Sequence, residues 1–224
     1  MKNPALLLLL LFFCTANAQN EEVAAPDYIT IKKNVIDKSS PLYFDKLFVR
    51  YNNADSTMTL EEKRHLYYGY SFTDEYSPYN RTDEENKLHK VLQKENADKK
   101  DLEKIIEYTD AILKQYPFSL RMKEYRLYSF RELDRFAEAE KENAQAKIII
   151  DAILSSGNGT EKENAFYVIK TSDEYEILSL LGFDFGGSQK LIDGRYDYLT
   201  LAENPYQLEG LYFEISRSLQ SIKF

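Results

Sequence analysis

The sequence has no tryptophan, a single cysteine and only two histidines. Each scarcity narrows the chemistry. The one thiol is Cys14, inside an apolar leader, so a chain cleaved beyond it has no disulfide, no zinc–thiolate site and no cysteine nucleophile. No metal or other cofactor is expected. Without tryptophan, the favoured platform for stacking on a sugar ring is missing. The histidines, His65 and His89, each follow a glutamate by one helical turn, Glu61 and Glu85, which suits an ion pair or hydrogen bond on a helix face. Neither stands in a His-Glu-x-x-His motif, and metal binding would require them to converge from different helices. Basic blocks are also missing. With 29 basic and 37 acidic residues the formal net charge is −8, a balance that repels nucleic acid phosphates and anionic membranes. No Gly-x-Ser-x-Gly elbow, phosphate loop or calcium loop occurs, and no carboxylate spacing singles out an acid–base pair. These absences lean against an enzyme.

The N-terminus carries the clearest positive signal. Lys2 supplies a positive charge, Ala5 to Phe13 is an unbroken apolar stretch, and Ala16-Asn17-Ala18 is a small-x-small cleavage pattern. The apolar stretch is too short for a transmembrane span and reads as a secretory signal over residues 1–18, cleaved after Ala18. Phe13 stands where a lipidation motif at Cys14 would need a small residue, so the expected product is a periplasmic or secreted protein without membrane insertion. Residues 19–26 read as a short disordered lead.

Residues 27–154 are helical in pattern. Tyr28, Ile31 and Val35 share one face, and Ser40-Pro41 reads as an N-cap followed by proline in the first turn, ahead of Phe44, Leu47, Phe48 and Tyr51. Thr59-Leu60-Glu61-Glu62 matches a capping box, and Thr82 to Glu85 repeats it. Glu95 to Asp101 reads as a charged connection. A helix then runs to Tyr116, stopped by Pro117, and others cover about 120–131 and 136–154, the last with Phe136, Ala139, Ala146, Ile150 and Ile153 on one face. Residues 102–151 weakly resemble a tetratricopeptide pair, with Phe130, Phe136, Ala139 and Ala146 in register, whereas Lys123, Arg126, Leu127 and Asp151 break it. Antiparallel helices packing by ordinary rules also account for this stretch.

Residues 155–224 change character. Ala165 to Lys170 is β-branched and aromatic, Ser172 opens a short helix closed by Gly182, and Asp193-Gly194 is a hairpin signal between two strands. Leu211, Phe213 and Ile215 alternate with Tyr212, Glu214 and Ser216, as in a half-buried strand. The expected fold is α+β: a bundle of about six helices followed by a small antiparallel sheet with one short helix, packed on the bundle.

Tyrosine is abundant, with 18 residues, several concentrated in Arg64-His65-Leu66-Tyr67-Tyr68-Gly69-Tyr70 and Tyr76-Ser77-Pro78-Tyr79. Tyrosine offers apolar area and a hydroxyl, which suits a partner surface as well as a core. Tyr67, Tyr70, Tyr76 and Tyr79 are therefore the candidate binding residues, on the expectation that Tyr67 and Tyr70 are not both buried. The alternative is that these rings pack onto neighbouring helices.

Several strings together carry a resemblance: Ser39-Ser40-Pro41-Leu42-Tyr43, Thr59 to Tyr70, Tyr116-Pro117-Phe118, Ala152 to Gly157, Tyr196 to Thr200 and Gly210-Leu211-Tyr212-Phe213. On these the chain is similar to the secreted family labelled domain of unknown function 4919. The resemblance implies export in a Bacteroides-type Gram-negative bacterium and brings no activity or catalytic residue. The expected role is non-enzymatic binding of a protein or peptide. The alternatives are binding of an envelope glycan and a hydrolase built on a carboxylate pair or His65.

Overall fold

The computed structural model describes residues 23–221; the leader expected over residues 1–18, the cleavage expected after Ala18, and Cys14 lie outside them. Seven helices come first: α1 (Tyr28–Ile36), α2 (Phe44–Asn52), α3 (Leu60–Tyr70), α4 (Asp83–Leu92), α5 (Lys99–Gln115), α6 (Leu120–Glu132) and α7 (Phe136–Leu154). After a 3-10 turn at Lys162–Asn164 come β1 (Phe166–Tyr167), α8 (Ser172–Leu180), β2 (Phe185–Ile192), β3 (Tyr196–Leu201), β4 (Gly210–Glu214) and α9 (Ser216–Gln220). The fold is α+β.

Most helix boundaries follow local signals. The Thr59 side chain accepts the Glu62 N–H while Glu62 bonds back to the Thr59 N–H, completing the capping box of α3. Thr82 caps α4 through the Glu85 N–H. Two boundaries depart from expectation. α2 starts at Phe44 rather than behind Ser40, because the Ser40 hydroxyl takes the Leu42 N–H and holds a separate turn. α5 starts within the charged connection, at Lys99, because Asp98 and Asp101 form a second capping box. The stretch 23–26 is not loose. Ala24 N–H bonds to Ser155 O at 3.1 Å, and Arg64 donates to the carbonyls of Ala24 and Ala25.

The sheet runs β1-β4-β3-β2. The β2–β3 hairpin turns at Asp193 and Gly194, both with positive φ, as a tight hairpin turn requires. β3 and β4 are antiparallel, but β1 and β4 pair in parallel, so the sheet is mixed rather than purely antiparallel. β4 is an inner strand covered on both faces, which puts Glu214 in the interior instead of on a solvent face.

One large core joins α1, α2, α3 and α7 to α8 and the sheet, and a smaller one lies between α4 and α5. α3 is central. Its last six residues, His65 to Tyr70, are all buried. A helix covered on every side needs no polar stripe, and one of its sides is met by another helix. A Cβ added at Gly69 would lie 2.6 Å from Val35 Cγ1, so this glycine sets the approach of α1.

Candidate functional site

The tyrosines do not assemble a surface. Tyr67 and Tyr70 are both in the core, at 0% and 3% exposure, contrary to the expectation that one ring stays open. Tyr76 is half-buried, and Tyr79 alone of the four is exposed. The cause lies in the hydroxyls. The last carbonyls of a helix lack partners within it, and buried tyrosines supply donors there. Tyr70 Oη donates to Gln115 O at 3.0 Å and Tyr51 Oη to Pro117 O at 2.8 Å, closing the end of α5. Tyr68 Oη donates to Ala152 O at 3.1 Å in the last turn of α7. Tyr76 Oη donates to Ile169 O. The rings also pack on each other, with Phe118 edge-on to Tyr51 and Tyr70 at 5.1 and 5.2 Å.

His65 is fully engaged. Its Nε2 meets Asn34 Nδ2 at 3.0 Å and its Nδ1 meets Glu61 O at 2.9 Å. The Asn34 amide and the Glu61 carbonyl thus occupy both ring nitrogens. That leaves His65 as a structural tie between α1 and α3.

A group of buried carboxyls was not singled out by the sequence. Asp173 and Glu174 open α8, where acids ordinarily face water, yet they are 1% and 0% exposed. Tyr67 and Tyr116 both donate to Asp173 Oδ2 at 2.7 Å. Burial pushes the Asp173 pKa up to about 6, with the two tyrosine bonds opposing the rise. Glu174 lies against Asp197 of β3, and burial together with the Asp197 and Asp173 charges raises it to about 9. Gln189 covers the pair, its Nε2 donating to Asp197 Oδ2 at 2.5 Å and its Oε1 accepting from Tyr175 Oη. Two adjacent carboxyls with raised pKa are what acid–base chemistry uses. Here they lie beneath Gln189, whose amide reaches both carboxyls and ties α8 to the hairpin. No group of three or more metal-type ligands occurs among the described residues.

A concavity lies elsewhere. α2, α5, α6 and α7 enclose a cleft of ≈ 770 Å³. Its floor is a closed polar network. Lys123, 3% exposed, donates to Glu142 Oε2 at 3.2 Å and Gln145 Oε1 at 2.8 Å. Arg126 Nε donates to Glu142 Oε1 at 2.6 Å, and Gln145 donates to Tyr51 O. Burial lowers the Lys123 pKa while the Glu142 charge opposes that shift. Phe48, Ile106, Leu113 and Phe130 form apolar walls, and Lys114, Asp110 and Arg135 stand among the charged lining. This network explains the rotated face of α7. Glu142 and Gln145 point inward, and Phe136, expected inside, is 61% exposed.

Comparison with known proteins adds a family. Nothing matches among curated proteins or solved structures. The sequence model of the family described as "Domain of unknown function (DUF4919)" matches residues 29–223, which takes in nearly every element from α1 to α9, and the chain therefore belongs to that family.

Proposed function

We propose that this protein is a non-enzymatic binding protein of the periplasm or cell exterior, and that it holds an extended peptide segment in the cleft between α2, α5, α6 and α7. The observation that carries this reading is the cleft's construction. Its volume of ≈ 770 Å³ falls in the range of ligand sites. Its ionisable floor groups, Lys123, Glu142 and Arg126, are bonded to one another, so they form a fixed base rather than free acids or nucleophiles. Apolar walls for side chains and charges of both signs along the lining suit a polypeptide, whose backbone is polar and whose side chains alternate. The export reading rests on the leader, Lys2 with Ala5–Phe13 and Ala16-Asn17-Ala18. A glycan site draws less support, since Tyr67 and Tyr70 are interior and only Tyr79 of that segment offers an open ring. A hydrolase draws less support too, because His65 is used up and the Glu174–Asp197 pair is covered.

The test is selection of peptides from a random display library on the wild-type protein, followed by calorimetric titration of the enriched sequences. Ile106→Glu and Leu113→Glu change half-buried walls of the cleft, and Leu180→Glu is a control on α8. The expected result is at least tenfold weaker binding for the two cleft variants and unchanged binding for the control. Failure to enrich any peptide, or binding indifferent to the cleft variants, overturns the proposal.

A further inference from the structure

α1 turns two isoleucines to solvent. Ile29 is 86% and Ile36 is 58% exposed, and they stand seven residues apart, two turns along one face. Lys32 and Lys33 stand between them, both exposed. Beside the helix, the Phe72 ring lies under two cations, Arg217 at 4.2 Å and Lys32 at 5.8 Å. These groups share a shallow depression on the surface. The chain as a whole is acidic, at −8, and ion pairs are common over its surface. Yet among the described residues none of Lys32, Lys33 and Arg217 forms an ion pair with a carboxylate within 4.0 Å. The acids at the two ends of α1 are committed to backbone: Asp27 accepts from Ile29 and Thr30, and Asp37 from Ser39. The patch is therefore cationic and apolar in a protein that is neither on average.

We infer that this face of α1 docks on an anionic lipid bilayer, with Ile29 and Ile36 entering the interface and Lys32 and Lys33 facing the lipid headgroups. Aliphatic side chains flanked by lysines are the composition of an interfacial helix. Lysine stems can lie along the apolar boundary while their ammonium groups reach the headgroups. The rest of the surface does not forbid this. At physiological salt a charge is screened beyond about 8 Å, so the net negative charge on the far side of the molecule is weakly felt at the contact. The size of the patch favours a bilayer over a protein. A stable protein interface needs about 20–30 residues a side with an aromatic centre, and here one half-buried phenylalanine and a single helix face are offered. The contact is peripheral: among the described residues no helix is long and apolar enough to cross a membrane.

Vesicle flotation at 0.15 M salt tests this. Full-length protein is mixed with vesicles of phosphatidylcholine alone, or with about a third phosphatidylglycerol. All variants keep the same length, so any contribution of the Ala5–Phe13 stretch is common to them. The wild type is expected to partition at least tenfold more strongly onto the anionic vesicles. Lys32→Glu with Lys33→Glu removes that preference, Ile29→Ser with Ile36→Ser weakens binding to the anionic vesicles, and Lys99→Glu with Lys100→Glu on α5 leaves the preference intact. All six positions are exposed, and unchanged melting temperatures confirm intact folding. Equal partition onto both vesicles, or a preference that survives the α1 substitutions, overturns the inference. So does binding of soluble poly-glutamate through Lys32 and Lys33 with no flotation, which would assign the patch to an acidic polypeptide.

Discussion

Glu174→Gln should stabilise the protein, and increasingly so as pH rises. In the fold, Glu174 keeps its proton up to about pH 9, against an ordinary value of 4.5. Between those values the native state binds one proton more than the unfolded chain. The stability held at low pH is fully present below 4.5 and drains away as pH climbs toward 9, at about 1.4 kcal/mol per pH unit. Glutamine does not titrate, and its amide stays neutral beside Asp197 at every pH. Asp173, raised to about 6, titrates in both proteins and drops out of their difference. The gap between variant and wild type should thus widen by about 1.4 kcal/mol for each unit from pH 5 to pH 8. For a domain of this size that is roughly 3–6 °C per unit. Thermal unfolding followed by circular dichroism at pH 5, 6, 7 and 8, at constant ionic strength, measures it. A gap that stays flat with pH, or a glutamine variant that loses ground at pH 8, refutes the burial of a proton on Glu174.

Gly69→Ala should cost about 1–3 kcal/mol in urea unfolding, since its Cβ meets Val35 Cγ1 at 2.6 Å, and Val35→Ala should restore part of the loss. Tyr67→Phe should cost about 1–3 kcal/mol, because the hydroxyl both donates to Asp173 and accepts from Ile169 N–H. The same change should move the Asp173 titration further above 6, as read by NMR of the carboxyl carbon, since a donor to the charged form is lost. Lys123→Ala should cost about 2 kcal/mol by stripping Glu142 and Gln145 of a shared donor, with Arg126 retaining its hold on Glu142.

What the sequence made legible was local. The Thr59 box, the Thr82 cap, the stop at Pro117 and the Asp193-Gly194 turn each depend on residues within a few positions, and each stands where expected. What it hid depends on partners far away. On α7 the apolar face stands as expected at Ala139, Ala146, Ile150 and Ile153, but not at Phe136, and apolar periodicity has no way to register Glu142, which is interior only by virtue of Lys123 and Arg126 on α6. Asp173 and Glu174 resemble ordinary first-turn acids until Tyr67, Tyr116 and Asp197 are brought to them. The tyrosines were conspicuous by number, but their direction was fixed by carbonyls at the ends of α5 and α7. The cleft is assembled from four helices and has no signature in any one of them. The parallel β1–β4 pair spans two residues of β1, too short a strand for its partner to be read from pattern.

That pair bears on how the chain is made. β4 sits inside the sheet, yet it comes last in sequence of the four described strands, and β1 has nothing to pair with until it arrives. The residues just after it tie back to earlier segments: Arg217 donates to Ser71 O at the end of α3 at 2.7 Å, and Ser218 Oγ donates to Ile169 O between β1 and α8 at 2.9 Å. A nascent chain that has released only α1 to α7 exposes the sides of α3 meant for α8 and the sheet. Contacts that span most of the sequence form late because the whole intervening loop must be closed first. The helices can gather during elongation, but they lock only once β4 and the residues just after it have emerged. A chain cut before β4 should yield aggregate rather than a slightly shorter protein.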